Sequence, residues 1–190
     1  MKILVLDNYD SFTYNLVYLL RELGHGENLD VVRNDKIKLE DVDRYDRIML
    51  SPGPGIPKEA GMMMDIIQAY APKKSILGIC LGHQGIAEAF GASLYNMPEV
   101  LHGIEGRVKV TDQKEWLFAG LPAEFTIGHY HSWSVVPETV NGELMITATD
   151  GAGRVMGIRH RKYDVHGLQF HPESVLTQHG KEIIKNWIEA

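Results

Sequence analysis

Five residues constrain this chain more than any others. Gly78-Ile79-Cys80-Leu81-Gly82 follows the apolar run Ser75-Ile76-Leu77 and precedes a stretch, His83 to Phe90, that reads as a helix. An apolar strand, a reactive residue between glycines and a helix are the parts of a nucleophile elbow, here carrying cysteine. A sharp strand-to-helix turn crowds its neighbours, and residues without a Cβ relieve the crowding. The helix would aim its N-terminal amides at the sulfur, and their dipole favours thiolate, the nucleophilic form. A lone cysteine is also a common small core residue, so the elbow needs a base from elsewhere in the chain.

The surroundings read as an α/β fold. Ile3 to Leu6, Leu29 to Arg33, Arg47 to Leu50 and Ser75 to Ile79 are short apolar runs, as expected of strands covered on both faces. Between them, Phe12, Leu16, Leu19, Leu20 and Leu23 recur at helical spacing, as do Met63, Ile66, Ile67 and Tyr70 within Glu59 to Tyr70. Asp10 can cap the first helix and Gly24 ends it. This β-α-β-β-α-β-α order predicts a largely parallel sheet between two helical layers, a flavodoxin-like three-layer sandwich. Sites in such sheets gather beyond the carboxyl ends of the strands.

The second half is β-rich: Arg107 to Thr111, Glu124 to His129, Leu144 to Thr149, Val155 to His160 and Val165 to Phe170, with turns at Asn141-Gly142 and Asp150-Gly151. It reads as an antiparallel extension of the same sheet, closed by a helix from about Thr177. No repeat or linker divides residues 1–190, so one domain is expected. One cysteine excludes an internal disulfide and suits a reducing compartment. No apolar run approaches a membrane span, and a net charge of −6 argues against nucleic-acid binding. A cytoplasmic protein is expected.

His171-Pro172-Glu173 supplies the missing base. Read as extended chain, it would turn His171 and Glu173 to one side, with Glu173 fixing the imidazole tautomer. A solvated His-Pro-Glu turn is the plain alternative. With the elbow, a Cys80-His171-Glu173 triad becomes the better account. Acyl transfer also needs donors for the developing oxyanion. Leu81 offers its amide at the elbow. In Ser51-Pro52-Gly53-Pro54-Gly55-Ile56-Pro57 the prolines lack an N–H, and Gly53 is the natural second donor. The lysine and hydroxyl pattern of a phosphate loop is missing.

Gly78-Ile79-Cys80-Leu81-Gly82-His83-Gln84, Ser51-Pro52-Gly53-Pro54-Gly55 and Gln169-Phe170-His171-Pro172-Glu173 together resemble the class I, triad-type glutamine amidotransferases. Asp7 to Leu16 is similar to the branch comprising the glutaminase components of anthranilate synthase and aminodeoxychorismate synthase. His129-Tyr130-His131-Ser132-Trp133 is similar to the family's Y-H-S segment. The resemblance implies Cys80 as nucleophile, His171 as acid/base, Glu173 as its partner, and Gly53 and Leu81 as the oxyanion hole. It places Gly53, Pro54 and Gly55 along the substrate site, with Gln84, Ser132 and Trp133 holding the amino-acid end of L-glutamine. Ser132 and Trp133 would do so through backbone groups, which tolerates Trp133 where the family often has leucine or another apolar residue. The implied products are glutamate and ammonia. No cofactor is implied in this chain. The implied partner is a chorismate-using synthase subunit, which binds Mg²⁺ itself.

A cysteine hydrolase or peptidase on the same elbow, and a non-catalytic module that kept the fold, are the competing classes. His129 and His131 form an H-x-H pair, but His102, His160, His166 and His179 are scattered and no third ligand stands out, so no metal site is assigned. Arg159-His160-Arg161-Lys162 reads as a solvated turn and Met62-Met63-Met64 as core. Tyr9 and Tyr14 lie off the apolar face of the first helix, near the active edge, and are candidates for an exposed surface that docks the partner.

Overall fold

The computed structural model describes residues 1–190, and one nine-stranded sheet runs through it. Its parallel part comprises β1 (Ile3–Asp7), β2 (Leu29–Arg33), β3 (Arg47–Leu50) and β4 (Ser75–Ile79), joined by β9 (Val165–Leu168). Beyond β9 the sheet continues through β8 (Val155–His160), β7 (Leu144–Asp150), β5 (Leu94–Val110) and β6 (Glu124–Val135), each antiparallel to the strand before it in the sheet. The order is β2-β1-β3-β4-β9-β8-β7-β5-β6. The mostly parallel sheet with an antiparallel extension is as expected, with one correction. Val165–Leu168 is not part of the extension. It inserts parallel beside β4, pairing Ile79 with Leu168.

Strand periodicity splits the core into two layers. Ile3 and Val5 pack toward α1 (Thr13–Glu22) and α4 (Gly180–Glu189), against Leu16, Val17, Leu20, Ile183, Ile184 and Trp187. Leu4 and Leu6 point the other way, toward α2 (Met63–Tyr70) and α3 (Leu81–Ala89), against Ile66, Ile67 and Ile86. Alternate residues of a strand face opposite sides, so a strand buried on both needs a continuous apolar run. Each fully buried aliphatic side chain contributes about 1.5–3 kcal/mol. Trp187 is the largest of the fully buried side chains, and its truncation to alanine would cost about 3–5 kcal/mol.

Local chemistry sets the helix ends. Asp10 does not cap α1 as expected: the N-cap position is Phe12, and Asp10 instead closes the preceding turn, its Oδ1 accepting from the Phe12 N–H at 2.7 Å and its carbonyl from the Thr13 N–H at 3.2 Å. Gly24, at φ 89°, closes that helix in the left-handed conformation that glycine adopts without penalty. The helix expected from Glu59 instead starts at Met63, behind a 3₁₀ turn over Pro57–Glu59. Gly61 (φ 52°) interrupts the run, packed against the Asn34 backbone. The helix expected from His83 starts two residues earlier, and the one expected from about Thr177 starts at Gly180, after left-handed His179.

The extension departs further from expectation. β5 starts at Leu94, well before Arg107, with register breaks between Asn96 and Leu101 and between His102 and Ile104. Arg159 and His160 belong to β8, where Arg159 Nε meets Asp112 Oδ2 at 2.7 Å and His160 is buried. Only Arg161 and Lys162 fit the solvated turn. Of the three methionines, Met63 alone is fully buried.

Candidate active site

Cys80 sits between β4 and α3 at φ 52° and ψ −99°, a conformation sparsely populated by non-glycine residues and typical of strained functional turns. The backbone on both sides holds it there. Its N–H donates to the Leu168 carbonyl at 2.8 Å, and its carbonyl accepts from the Gln84 N–H at 3.0 Å. The flanking glycines are needed for space. A Cβ on Gly78 would stand 2.5 Å from the Gly82 carbonyl oxygen, and one on Gly82 would stand 2.6 Å from the Leu50 carbonyl oxygen. Leu81 opens the helix, so its N–H has no partner within it.

Parallel pairing of β4 with β9 brings His171 to Cys80, since both residues leave the same sheet edge just past Ile79 and Leu168. His171-Pro172-Glu173 is not extended, contrary to expectation. It is a turn closed by the Ser174 N–H donating to the His171 carbonyl at 3.2 Å, with proline at the position that suits its fixed φ. The turn still joins the two side chains: His171 Nδ1 donates to Glu173 Oε1 at 2.7 Å, both fully buried. Thr177 Oγ1 donates to the His171 carbonyl at 2.6 Å, and α4 starts so close to the turn that any Cβ on Gly180 would overlap the Pro172 carbonyl. The imidazole is walled by Phe12 and Tyr130, with ring centroids at 5.2 and 4.9 Å.

His171 Nε2 faces Cys80 without a well-aligned hydrogen bond to any group. Burial opposes charge on the ring, but the sulfur and the Glu173 carboxylate outweigh it and raise the His171 pKa to about 10. The direction of that shift favours an imidazolium beside the sulfur, and catalytic hydrogen bonds tend to tighten when substrate binds.

The proline-glycine loop is tied to β1. Asn8 takes the Ser51 hydroxyl on its N–H at 2.8 Å and donates from Nδ2 to the Ser51 carbonyl at 2.8 Å, while Asn34 Nδ2 donates to Asn8 Oδ1 at 3.0 Å. A Cβ at Gly53 would lie 2.6 Å from Asn8 Cβ and 2.7 Å from Leu81 Cδ2. Glycine is thus required there by packing as well as by any approach of substrate, and Gly53 adjoins Leu81.

Gly53, Pro54, Gly55, Cys80, Gln84, Ser132 and Trp133 line one cavity of about 210 Å³. All the expected substrate contacts meet there. Gln84 Nε2 donates to the Trp133 carbonyl at 3.0 Å, so that carbonyl already holds a protein group. The expectation missed Val100, Leu101 and His102 of β5, which close the same cavity, and also Tyr130 and His131. The irregular β5 carries no clean period, while Tyr130 and His131 belong to the Y-H-S segment on β6, where the resemblance assigns them no substrate role. His131 Nδ1 bonds the Trp133 carbonyl at 2.8 Å, and its Nε2 meets His129 Nδ1 at 3.2 Å, so the H-x-H pair bonds within itself. Burial lowers the His131 pKa to about 4 and lowers that of His129. His83, inside the elbow motif, is fully buried away from the cavity, and burial lowers its pKa to about 3.

A sequence profile described as glutamine amidotransferase class-I matches residues 4–190. Anthranilate synthase component 2 of Thermus thermophilus is 47% identical over all of this chain and 92% of its own length. Aminodeoxychorismate/anthranilate synthase component 2 of Bacillus subtilis is 43% identical over 99% of this chain and 96% of its own. Among solved structures, one from Thermoplasma acidophilum, provisionally described as part of a GMP synthase, superposes with a TM-score of 0.87. It is 32% identical and covers all of this chain and 92% of that one.

Proposed function

Because the chain belongs to the class-I glutamine amidotransferases, we propose that it hydrolyses L-glutamine through a Cys80-His171-Glu173 triad and delivers ammonia to a chorismate-using synthase subunit. The observation that carries this reading is the buried His171–Glu173 pair, joined at 2.7 Å and set against Cys80 at the floor of a cavity shared with Gln84 and Trp133. A peptidase needs an open cleft for an extended chain; this cavity fits one small amino acid.

The Cys80 thiolate attacks the side-chain carboxamide carbon. The Gly53 and Leu81 N–H groups stabilise the oxyanion. His171, charged at the outset, protonates the amide nitrogen as the carbon–nitrogen bond breaks and ammonia leaves. Water then attacks the γ-glutamyl thioester, gives its proton to His171, and expels the thiolate with glutamate. Glu173 holds His171 in the Nδ1–H tautomer and offsets its charge. Gln84, Ser132 and Trp133 hold the amino-acid end, and Pro54 and Gly55 shape the wall.

No step calls for a cofactor in this chain, and Mg²⁺ belongs to the synthase subunit. Tyr9 and Tyr14, 47% and 63% exposed at the active edge, are offered as part of the docking surface. A cytoplasmic setting follows from the single unpaired cysteine and a soluble substrate; no helix is long and apolar enough to cross a membrane. Relatives named for the anthranilate and for the aminodeoxychorismate reaction match over nearly their full lengths. The anthranilate subunit is the first assignment and the aminodeoxychorismate subunit the second.

Reconstitution with each synthase subunit decides between them. Cys80→Ser in the complex should abolish glutamine-dependent synthesis and spare synthesis from ammonium. Glutaminase activity in that variant would remove Cys80 from the mechanism, and casein cleavage by the wild-type chain without glutaminase activity would favour the hydrolase.

A further inference from the structure

Gln169 precedes His171 by two residues, is wholly buried, and has no part in the chemistry above. Its side chain bridges two groups that do. Nε2 donates to Cys80 Sγ at 3.7 Å, and Oε1 accepts from Gln84 Nε2 at 3.2 Å. Gln84 Nε2 also donates to the Trp133 carbonyl, which accepts in turn from His131, itself bonded to His129.

Donors and acceptors along this path have one consistent assignment. The Trp133 carbonyl can only accept, so His131 Nδ1 carries a proton. A neutral His131 then accepts at Nε2, and His129 Nδ1 donates. Both hydrogens of Gln84 Nε2 are spent, one on Trp133 and one on Gln169. Gln84 is left with Oε1 for the cavity, an acceptor that suits the α-ammonium of an amino acid. Because Gln169 Oε1 is taken by Gln84, its amide nitrogen is the end that faces sulfur. The flip of each amide is decided by the next group.

We propose that Gln169 is a further catalytic residue: its amide holds the Cys80 sulfur in place and ties it, through Gln84, to the segment that receives the amino-acid end of the substrate. The sulfur then has two partners of different kinds. The imidazolium loses its proton to the leaving group during each turnover. The amide does not titrate, so it holds the sulfur in every protonation state of His171. It would also stabilise the thiolate as the leaving group when water cleaves the thioester. This inference rests on the glutaminase reading.

Gln169→Met keeps the length of the side chain and removes both amide functions. The first measurement is the pH profile of Cys80 alkylation by iodoacetamide, which needs neither glutamine nor a partner. Losing one donor to a thiolate should cut the thiolate fraction about 10-fold on the acidic limb, and the rise in intrinsic nucleophilicity should return about half of that on a logarithmic scale. The net expectation is alkylation about 3-fold slower on the acidic limb and no slower on the plateau. A merely structural loss would slow or speed the whole profile together. In the reconstituted complex, kcat should fall about 10-fold, as for one charge-assisted hydrogen bond, with a smaller change in KM.

Gln84→Met should shift the acidic limb in the same direction and by less. In the Gln169→Met background it should add nothing, because its effect on sulfur passes through Gln169. Gln169→Asn draws the amide back by one methylene and should act like methionine, which covers the case where methionine does not fold. Wild-type alkylation profiles in the Gln169 variants would overturn the proposal. So would an undiminished effect of Gln84→Met when Gln169 is already methionine. A wild-type complex without glutaminase activity would overturn the function instead, and the alkylation cycle would still decide the role of Gln169.

Discussion

Gly78→Ala places one methyl group where the elbow has no room. The new Cβ would stand 2.5 Å from the Gly82 carbonyl oxygen and 2.8 Å from the His83 amide nitrogen. Ordinary van der Waals contact starts at 3.4 Å, so the methyl intrudes by about 0.9 and 0.6 Å. Both obstacles are backbone atoms of the first turn of α3, which cannot rotate aside. Overpacking costs about 1–3 kcal/mol, and an all-backbone clash belongs at the upper end. At this chain length each kcal/mol is worth about 2–4 °C, so the melting temperature should fall by about 6–12 °C. Relief requires the start of α3 to move away from β4 by somewhat under 1 Å. That turn carries Cys80 and the Leu81 N–H, and a displacement of about 1 Å costs on the order of 100-fold in rate. Differential scanning fluorimetry reads the first effect, and glutamine hydrolysis in the reconstituted complex reads the second. Gly151→Ala is the control, since nothing lies within 4 Å of its Cβ and its φ is not left-handed. A Gly78→Ala protein that melts with the Gly151→Ala control and keeps full activity would refute the packing account of the elbow.

Three further outcomes are expected. His171 binds its proton more tightly folded (about 10) than unfolded (about 6.5), so its contribution to stability is full below about pH 6.5 and is lost as pH rises toward 10. Melting scans should show that alkaline loss, and it should be smaller in Cys80→Ser, which weakens the partner that raises the pKa; parallel curves would contradict it. His83 is shifted the other way, to about 3, so its contribution is present above about pH 6.5 and is lost as pH falls; His83→Met should flatten the acidic side of the same scan, and an unchanged acidic slope would count against it. Asn8→Ala strips the Ser51 carbonyl and Asn34 of their partner, which should cost about 1–3 kcal/mol by urea denaturation and lower kcat by loosening Gly53; a stability loss with unchanged kcat would separate the loop's anchor from catalysis.

What could be read from the sequence was whatever local pattern decides. Cys80 between its glycines announces the elbow, and the spacing of His171 and Glu173 announces a pair even though the segment turns where an extended chain was expected. Strand direction is different. Val165 to Leu168 is an apolar run that serves equally well parallel or antiparallel, and only pairing with Ser75–Ile79 decides it. β5 was half hidden because Pro98 and two register breaks erase its period over 94–104, where it closes the cavity. The start of α3 was obscured by Gly82, a poor helix former that is there because Leu50 leaves no room for more. Gln169 opens the motif that ends in His171-Pro172-Glu173, but its role was hidden, since both of its partners lie more than 80 residues away in the chain.

The insertion of β9 between β4 and β8 also orders events during synthesis. Residues 1–79 supply every other parallel strand early, yet the free edge of β4 stays bare until residues 165–168 arrive to cover it. A nascent chain therefore carries an open, template-like edge in the middle of its future sheet, where transient holding by a chaperone would matter most. The same delay governs when the site is assembled. Cys80 emerges long before its neighbours in space, and the strand that seals the sheet is the one that brings His171 and Glu173. A chain stalled or clipped before residue 171 retains Cys80 but lacks both His171 and Glu173, so the three side chains come together only once the sheet is closed.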